Sequence, residues 1–224
     1  MIVRKVAIRG DCCFTSNFSV QKIYEKIKKL KKLRNVVVEV PKKSGPIKET
    51  KSKEIIKVSL LSDSHGRNLR HSLQDKLGEN CAVYSGVKPS GKLEHVVSDL
   101  DYEAKKLGSS DHLIVLGGTN NISEKSEFDV RNLVKKIADK TKNTNVIICT
   151  VPLRYDKPYL NTKIRSKNIE LIIEAMKYEH IKIISLANIP QQHYTTGGLH
   201  FNKWGKAQLC KLLADKINSI NLNM

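Results

Sequence analysis

From residue 55 onward, short apolar runs alternate with segments whose apolar positions recur three or four residues apart. The runs predict buried strands and the periodic segments predict helices. The predicted strands cover residues 55–62, 80–86, 112–118, 145–152 and 181–189, and the predicted helices cover residues 68–77, 93–107, 129–140, 161–178 and 206–220. Strands that are apolar throughout are buried on both faces, so their alternation with helices predicts a parallel sheet between two helical layers. The expected fold is an α/β, three-layer α/β/α sandwich with a five-stranded parallel sheet.

The first 54 residues follow a different pattern. Residues 22–34 (KIYEKIKKLKKLR) set apolar residues near helical spacing among lysines, and residues 35–40 (NVVVEV) predict a short strand. Residues 41–54 combine proline, glycine and lysine with few apolar residues, which is typical of a linker. We therefore predict a basic N-terminal segment over residues 1–54 and a folded domain over residues 55–224.

Positive charge is concentrated in the N-terminal segment. The chain has 40 Lys and Arg against 22 Asp and Glu, a net charge of +18. Residues 1–57 hold 16 basic and 5 acidic side chains (+11), and the other 167 residues hold 24 and 17 (+7). One interpretation is a solvated helix face. The second is a contact with RNA or DNA phosphates, and a third is an anionic membrane surface. The candidate nucleic-acid residues are Lys28, Lys29, Lys31, Lys32 and Arg34.

The cysteines and the hydropathy bear on cofactors and location. The five cysteines are scattered without a CxxC pair, which predicts neither a disulfide framework nor a zinc site. No apolar stretch reaches the roughly 18 residues of a membrane span, and the N-terminus lacks the apolar core of a signal peptide. We expect an intracellular, cytoplasmic protein, nuclear or ribonucleoprotein-associated if it binds RNA. We expect no metal and no cofactor, and the sequence does not indicate an oligomeric state.

Candidate chemistry follows the predicted strands. In a parallel sheet the ligand site lies beyond the carboxyl ends of the strands. The five exits read SDSHGRN, SGVKPSGK, GGTNN, VPLRYDKP and TTGGLHFN. A GxGxxG turn and a GxxxxGK[ST] loop are both absent from the sequence, which argues against a dinucleotide fold and a P-loop. A serine, glycine-bearing turns, an asparagine and a histidine are the groups that acyl transfer uses.

These exits, in this order, resemble the sequence blocks of the SGNH hydrolase family, also called GDSL-type. The blocks are similar to Ser62-Asp63-Ser64, to Gly91 (or Gly86 in another register), to Gly118-Thr119-Asn120-Asn121, and to Gly197-Gly198-Leu199-His200. The resemblance covers roughly residues 55–220. It implies the flavodoxin-like SGNH hydrolase fold and a serine esterase acting on acetyl or longer acyl esters of lipids or carbohydrates.

The resemblance also implies residue roles. Ser64 takes the place of the nucleophile and His200 that of the general base. The backbone N–H groups of Ser64 and Gly91 and the side chain of Asn120 take the places of the oxyanion hole. The residues predicted to shape or charge the pocket are Asp63, Gly118, Arg154, Asp156 and Asn202. The simpler interpretations are that Ser64 caps a helix and that Asn120 belongs to a turn.

One position departs from the family pattern. Gly197 stands where the family has the aspartate that orients the histidine, and residues 185–203 contain no Asp or Glu. Loss of such an acid costs about ten-thousandfold in rate in the serine-protease template. The sequence therefore predicts a Ser–His dyad, whose histidine is oriented by a backbone carbonyl or by another carboxylate such as Asp156.

A narrower resemblance suggests an alternative function. DSHGRNL, LGGTNN, VPLRYD and GGLHFNKWGK are similar to the esterase-like domains of animal non-LTR retrotransposon proteins. The RNA-binding domain of the insect protein Oskar is a more distant relative that lacks the catalytic residues. The alternative that this resemblance implies is a catalytically weak SGNH-like domain that binds RNA through its basic surface, in a retrotransposon-type ribonucleoprotein.

Overall fold

The computed structural model describes residues 55–123 and 127–222. The predicted helix at 22–34, the strand at 35–40 and the linker at 41–54 lie outside the described residues, as do the five candidate nucleic-acid residues. The domain boundary at residue 54 therefore stays a prediction.

The described chain forms one five-stranded sheet, and this confirms the predicted fold class. Its strands are β1 (Ile56–Ser62), β2 (Cys81–Val87), β3 (His112–Leu116), β4 (Asn145–Cys149) and β5 (Ile181–Ile184). All neighbours pair in parallel, in the order β2-β1-β3-β4-β5. The chain passes from β1 to β2 at one edge and then crosses back to β3 on the other side of β1. Such a reversal leaves a crevice at the carboxyl ends of β1 and β3, where ligands of open α/β sheets bind.

Helices cover both faces of the sheet. They are α1 (Leu69–Leu77), α2 (Leu93–Val96), α3 (Leu100–Ala104), α4 (Val130–Lys140), α5 (Asn161–Ala175) and α6 (Lys203–Asn221). One face packs on α1 and α6 through Leu69, Leu73, Leu209, Leu213 and Ile217. The other packs on α2 to α5 through Val96, Leu100, Leu133, Ile137, Ile164 and Leu171. Successive residues of β3 alternate between the two clusters, as the period of a strand requires. The three-layer arrangement is the predicted one.

Several element bounds differ from the prediction, most of them by one to three residues. The single helix predicted over residues 93–107 is two short helices, because the chain tightens at residues 97–99, where the Leu100 amide bonds three residues back to the Val97 carbonyl. Strand β5 ends at Ile184, since the β4 strand beside it ends at Cys149. Helix α6 begins at Lys203, three residues earlier than predicted. Among the described residues, none of the helices is long and apolar enough to cross a membrane.

Candidate active site

Ser64 lies where β1 ends in the crevice. A 3₁₀ turn over Ser64–Gly66 follows β1 directly. The turn requires glycine at its last position, since a Cβ on Gly66 would lie 1.8 Å from the Ser62 Oγ. Among the described residues, the Ser64 N–H has no acceptor, and the side chain is half-buried. The turn therefore presents both a hydroxyl and an unused amide at the carboxyl end of the sheet.

His200 reaches this turn from the loop after β5. Its Nε2 lies 3.0 Å from the Ser64 Oγ, although the two residues are 136 positions apart in the sequence. The loop is folded back on itself by a hydrogen bond from the Thr195 amide to the His200 carbonyl (2.8 Å) and by a bridge between Tyr194 and Phe201. The structure thus brings together the serine and the histidine that the sequence proposes as nucleophile and base.

The surroundings of His200 favour its neutral form. Burial is the main cause that lowers its pKa from the ordinary 6.5, and the charges of His65, Arg67 and Lys206 lower it further. The Asp63 carboxylate acts in the opposite direction. A neutral imidazole can accept the serine proton at neutral pH, so the electrostatics suit a general base.

Only part of the predicted oxyanion hole is present in the structure. The Asn120 side-chain amide is exposed at the end of β3 and donates to the Gly91 carbonyl at 3.0 Å. The Gly91 N–H is not free, because it donates to the Lys88 carbonyl in a turn (3.0 Å). The expectation of a Gly91 N–H donor is wrong in this conformation: a turn closed by an i to i+3 bond uses that amide itself. Gly86, the other register, lies within β2.

Asn121, which the sequence analysis gave no role, holds the β3 exit in place. Its buried side chain accepts from the Leu93 amide (2.7 Å) and donates to both carboxylate oxygens of Glu94 (3.0 and 2.8 Å). Gly118 has a φ of +100°, and a Cβ there would lie 2.8 Å from the Val151 Cγ2. Gly118 therefore shapes the turn that carries Asn120. Asn121 and Gly118 both act on the site by fixing the backbone of this turn.

Asp63 faces the interior, which corrects its assignment to the pocket. Its side chain is 0% exposed, and Oδ1 accepts from the His65 backbone amide (2.9 Å) and lies 3.0 Å from the His65 Nδ1. The His65 ring, 2% exposed, places its Nε2 3.1 Å from the Leu199 carbonyl oxygen. His65 was missed because a histidine after a serine carries no pattern of its own. Its importance comes from a contact 134 residues away.

Arg154 and Asp156 bind each other in the loop after β4. The Arg154 Nε donates to Asp156 Oδ1 at 3.0 Å and its Nη2 donates to Oδ2. This guanidinium is the main cause that lowers the pKa of Asp156. The Asp156 carboxylate makes no hydrogen bond to His200 in this structure, so it does not orient the ring here as the sequence analysis suggested. The loop contacts the histidine loop through its backbone instead, since the Tyr155 and Asp156 amides donate to the Gly198 carbonyl (2.8 and 3.3 Å).

Asn202 caps a helix and also lines the groove beside the histidine loop. Its Oδ1 accepts from the Trp204 and Gly205 amides at the start of α6 (2.9 and 3.1 Å). Its Nδ2 donates to the Gln192 and Tyr194 carbonyls (2.7 and 2.9 Å). These four bonds use the whole side-chain amide. Its motif position next to His200 is explained by capping, which also sets the start of α6 at Lys203.

Nothing among the described residues bonds the second ring nitrogen of His200. Gly197 lies exposed in the loop and brings no side chain. Neither of the orienting groups predicted from the sequence, a backbone carbonyl or Asp156, reaches Nδ1. The site is therefore a Ser–His pair without an acid on the histidine.

Two grooves flank the sheet. One, of about 780 Å³, lies beside the histidine loop between α1 and α6 and is lined by Asn68, Lys76, Thr195, Phe201, Lys203 and Lys206, among others. The other, of about 600 Å³, lies against β2 and is lined by Lys57, Ser59, Arg70, Tyr84 and Glu103, among others. Phe201 and Asn202, the two residues after His200, line the first groove, whereas neither Ser64 nor His200 lines either one. Within the described parts of the chain, no group of His, Cys, Asp and Glu is arranged to hold a metal ion.

Comparison with known proteins identifies the fold class. No family model matches the sequence, and no curated protein matches it. Solved structures do match. The lipase/acylhydrolase from Enterococcus faecalis is 18% identical with a TM-score of 0.60, over 74% of this chain and 96% of that chain. The family 3 carbohydrate esterase of Clostridium thermocellum is 12% identical (TM-score 0.58; 75% and 100% covered). A G-D-S-L family lipolytic protein from Veillonella parvula is 18% identical (TM-score 0.56; 75% and 100% covered).

At these identities the likeness concerns the fold, since one fold hosts many functions. The chain has the α/β fold of the GDSL-type acylhydrolases and esterases, with its five-stranded parallel sheet and flanking helices. The resemblance to retrotransposon esterase-like domains and to Oskar stays a prediction from the sequence.

Proposed function

We propose that the protein is a serine ester hydrolase of the SGNH type, with Ser64 as nucleophile and His200 as general base. The observation that carries the proposal is the 3.0 Å contact between Ser64 Oγ and His200 Nε2 at the carboxyl ends of β1 and β3. A nucleophile and base within hydrogen-bond reach are the signature of covalent acyl transfer.

The reaction follows from this pair. As the Ser64 Oγ attacks the ester carbonyl carbon, its proton passes to the His200 Nε2. The tetrahedral intermediate collapses to an acyl-serine when His200 returns that proton to the leaving alcohol oxygen. A water molecule, deprotonated by His200, then attacks the acyl carbon, and Ser64 regains its proton as the acid leaves.

Two donors are placed to stabilise the negative oxygen of the intermediate. The Ser64 N–H has no acceptor among the described residues. The Asn120 Nδ2 uses one hydrogen on the Gly91 carbonyl and has a second one for the substrate. Each donor of this kind contributes about 3 kcal/mol to lowering the barrier. With an oxyanion hole of two donors and no acid on His200, we expect a slow esterase.

The substrate is an ester whose acyl chain length is open. The structural neighbours include a lipase/acylhydrolase and a carbohydrate esterase, which act on different esters. A p-nitrophenyl series from acetate to octanoate distinguishes the two classes, because a short-chain optimum favours acetyl esters and a medium-chain optimum favours lipid esters.

Hydrolysis by the wild type and Ser64→Ala tests the proposal. We expect Ser64→Ala to lose about 10⁴-fold or more in kcat, because removing a nucleophile leaves only binding and oxyanion stabilisation. Ser166→Ala, on the exposed face of α5, is the matched control and retains activity. A fluorophosphonate probe reports the nucleophile independently by labelling Ser64. A wild type that neither hydrolyses these esters nor takes up the probe overturns the proposal.

A second candidate function is RNA binding, favoured by the net charge of +11 over residues 1–57. Contacts to phosphates release counterions, so affinity falls steeply with salt. The test is RNA binding by the full chain and by a variant with Lys28, Lys29, Lys31 and Lys32 changed to Glu, over a range of salt concentrations. We expect weaker binding and a shallower salt slope for the variant. Binding that barely responds to salt, or that is equal in both proteins, contradicts this function.

A further inference from the structure

The proposed base has no acid on its ring, yet its position on Ser64 is well defined. Within the described chain no side chain bonds the His200 Nδ1, and Gly197 supplies none. The contacts that hold the His200 loop must therefore fix the direction of the ring. One of them comes from the turn that carries the nucleophile itself.

That contact is the His65 side chain. Its ring lies between the Asp63 carboxylate (Nδ1 to Oδ1, 3.0 Å) and the Leu199 carbonyl oxygen (Nε2 to O, 3.1 Å). The ring centroids of His65 and His200 are 5.3 Å apart, and Phe201 packs edge-on against His65 at 5.5 Å. Leu199 and Phe201, the residues on either side of His200, thus both contact the buried His65 ring.

The two partners of His65 decide its protonation. An ionised carboxylate and a backbone carbonyl can only accept hydrogen bonds, so with Asp63 ionised, satisfying both requires a proton on each ring nitrogen. Asp63 and His65 are 0% and 2% exposed, so no water replaces either bond at low cost. A doubly protonated ring beside a carboxylate is a buried ion pair whose net charge is zero.

We propose that the Asp63–His65 ion pair replaces the missing aspartate as the group that positions His200: the charged His65 ring holds the Leu199 carbonyl and so aims the His200 Nε2 at Ser64. Asp63 and His65 are positioning residues, since neither touches the reacting atoms. This inference rests on the proposed esterase function.

The replacement differs electrostatically from an aspartate. A carboxylate on Nδ1 stabilises the histidine cation that forms in the reaction, whereas a positive ring 5.3 Å away opposes it. The other charges acting on His200 are Asp63, which raises its pKa, and Arg67 and Lys206, which lower it. The pair thus supplies geometry without the acid's charge stabilisation, in keeping with a slow enzyme that works at lower pH.

The test is Asp63→Asn, which keeps the shape of the side chain and removes its charge. Without the carboxylate His65 becomes neutral, and a ring that donates from Nδ1 to the new side-chain amide oxygen turns a lone pair toward the Leu199 carbonyl. We expect kcat to fall by about 10²-fold, as a misplacement of about 1 Å can cause, with KM within about twofold. The acid limb of the kcat profile moves to higher pH, because the His65 charge lowers the pKa of His200 more than the Asp63 charge raises it, and both charges are gone.

Two further variants complete the experiment. The double variant Asp63→Asn/His65→Phe keeps a ring without leaving a buried charge, and we expect a loss similar to that of the single variant. His71→Gln, an exposed histidine on α1, is the control and keeps the wild-type kcat and acid limb. If Asp63→Asn retains kcat and the acid limb, the inference is wrong although the esterase function stands.

A measurement without substrate separates the inference from the function. In long-range ¹⁵N–¹H spectra at pH 7.5, we expect both ring nitrogens of His65 to carry protons in the wild type and only one in Asp63→Asn. A neutral His65 ring in the wild type overturns the inference even if esters are hydrolysed. An inactive wild type with no Ser64 labelling overturns the function, and the His65 spectrum still decides whether the ion pair exists.

Discussion

Two strand exits hold the His200 loop, and they do so by different chemistry. At the end of β1, the buried His65 ring lies between the Asp63 carboxylate and the Leu199 carbonyl and contacts both. After β4, the backbone amides of residues 155 and 156 bond the Gly198 carbonyl, while the Arg154–Asp156 ion pair lies partly exposed beside them. A side-chain anchor fails when its partner is removed, whereas a backbone anchor survives most substitutions. The two anchors should therefore respond very differently to mutation.

The largest stability effect is expected from His65→Ala. Removing one partner of a buried pair leaves the Asp63 carboxylate without compensation, which costs about 3–5 kcal/mol of unfolding free energy. Urea unfolding measures the change. Asp63→Asn/His65→Ala relieves the buried charge and should lose less. If the unfolding free energy of His65→Ala is no lower than that of Asp63→Asn/His65→Ala, the Asp63 carboxyl is not charged in the folded protein.

Gly198→Ala tests the backbone anchor directly. Gly198 has a φ of +68°, and a Cβ there would lie 2.7 Å from the Asp156 amide nitrogen. We expect a loss of about 1–3 kcal/mol from the backbone strain, with reduced activity. At Gly197 the nearest atom is the Thr195 Oγ1 at 3.9 Å, so Gly197→Ala is the matched control, expected within about 0.5 kcal/mol. Equal effects at the two glycines would contradict the contact.

Gly197→Asp tests whether an aspartate at the position where SGNH hydrolases have the orienting acid improves the site. A carboxylate three residues before His200 gives the Nδ1 an acceptor and stabilises the cation. A hydrogen bond to a charged group contributes about 1.5 kcal/mol, which is about tenfold in kcat. Gly197→Asn is the uncharged control. No gain over that control would mean that the loop directs residue 197 away from the ring.

The pH dependence of the wild type follows from the pKa of His200. The base must be neutral, and burial and nearby positive charges lower its pKa from the ordinary 6.5. Activity is therefore retained as the pH falls to 6.5 and is lost below it, as the ring becomes protonated. The kcat/KM profile measures this limb, and a midpoint above pH 6.5 would contradict the direction of the shift. In Gly197→Asp the added carboxylate should move the limb upward.

The smallest effect is expected from Arg154→Ala. The ion pair with Asp156 is partly exposed, and such pairs contribute about 0–1 kcal/mol to stability. The amides that bond Gly198 do not depend on the guanidinium, so kcat should stay within about twofold of the wild type. Thermal unfolding and ester hydrolysis check both values. A large loss of activity would mean that Arg154 contacts the substrate.

The local sequence pattern was sufficient to predict the strands and helices, because buried apolar positions recur along each of them at a regular spacing. The apolar runs and helical periods gave the five strands and both helical layers, because each element buries a face of its own. Ser64, Asn120 and His200 could be found for a related reason: parallel strands end at one edge, so residues that follow them become neighbours. The assignment of Asp63 to the pocket failed because residues next to a site in sequence are also the ones that support its turns.

The sequence by itself determined the fold class, the charge distribution and the meeting of a serine and a histidine at one edge of a sheet. Only the tertiary structure decided that the Gly91 amide is already bonded, that Asp156 belongs to Arg154, and that His65 lies between Asp63 and Leu199. In each case the sequence offers several residues that could make the hydrogen bond, and it does not say which one does. A hydrogen-bonding group has a fixed capacity, and which neighbour uses it depends on distances of a few ångströms between segments far apart in the chain.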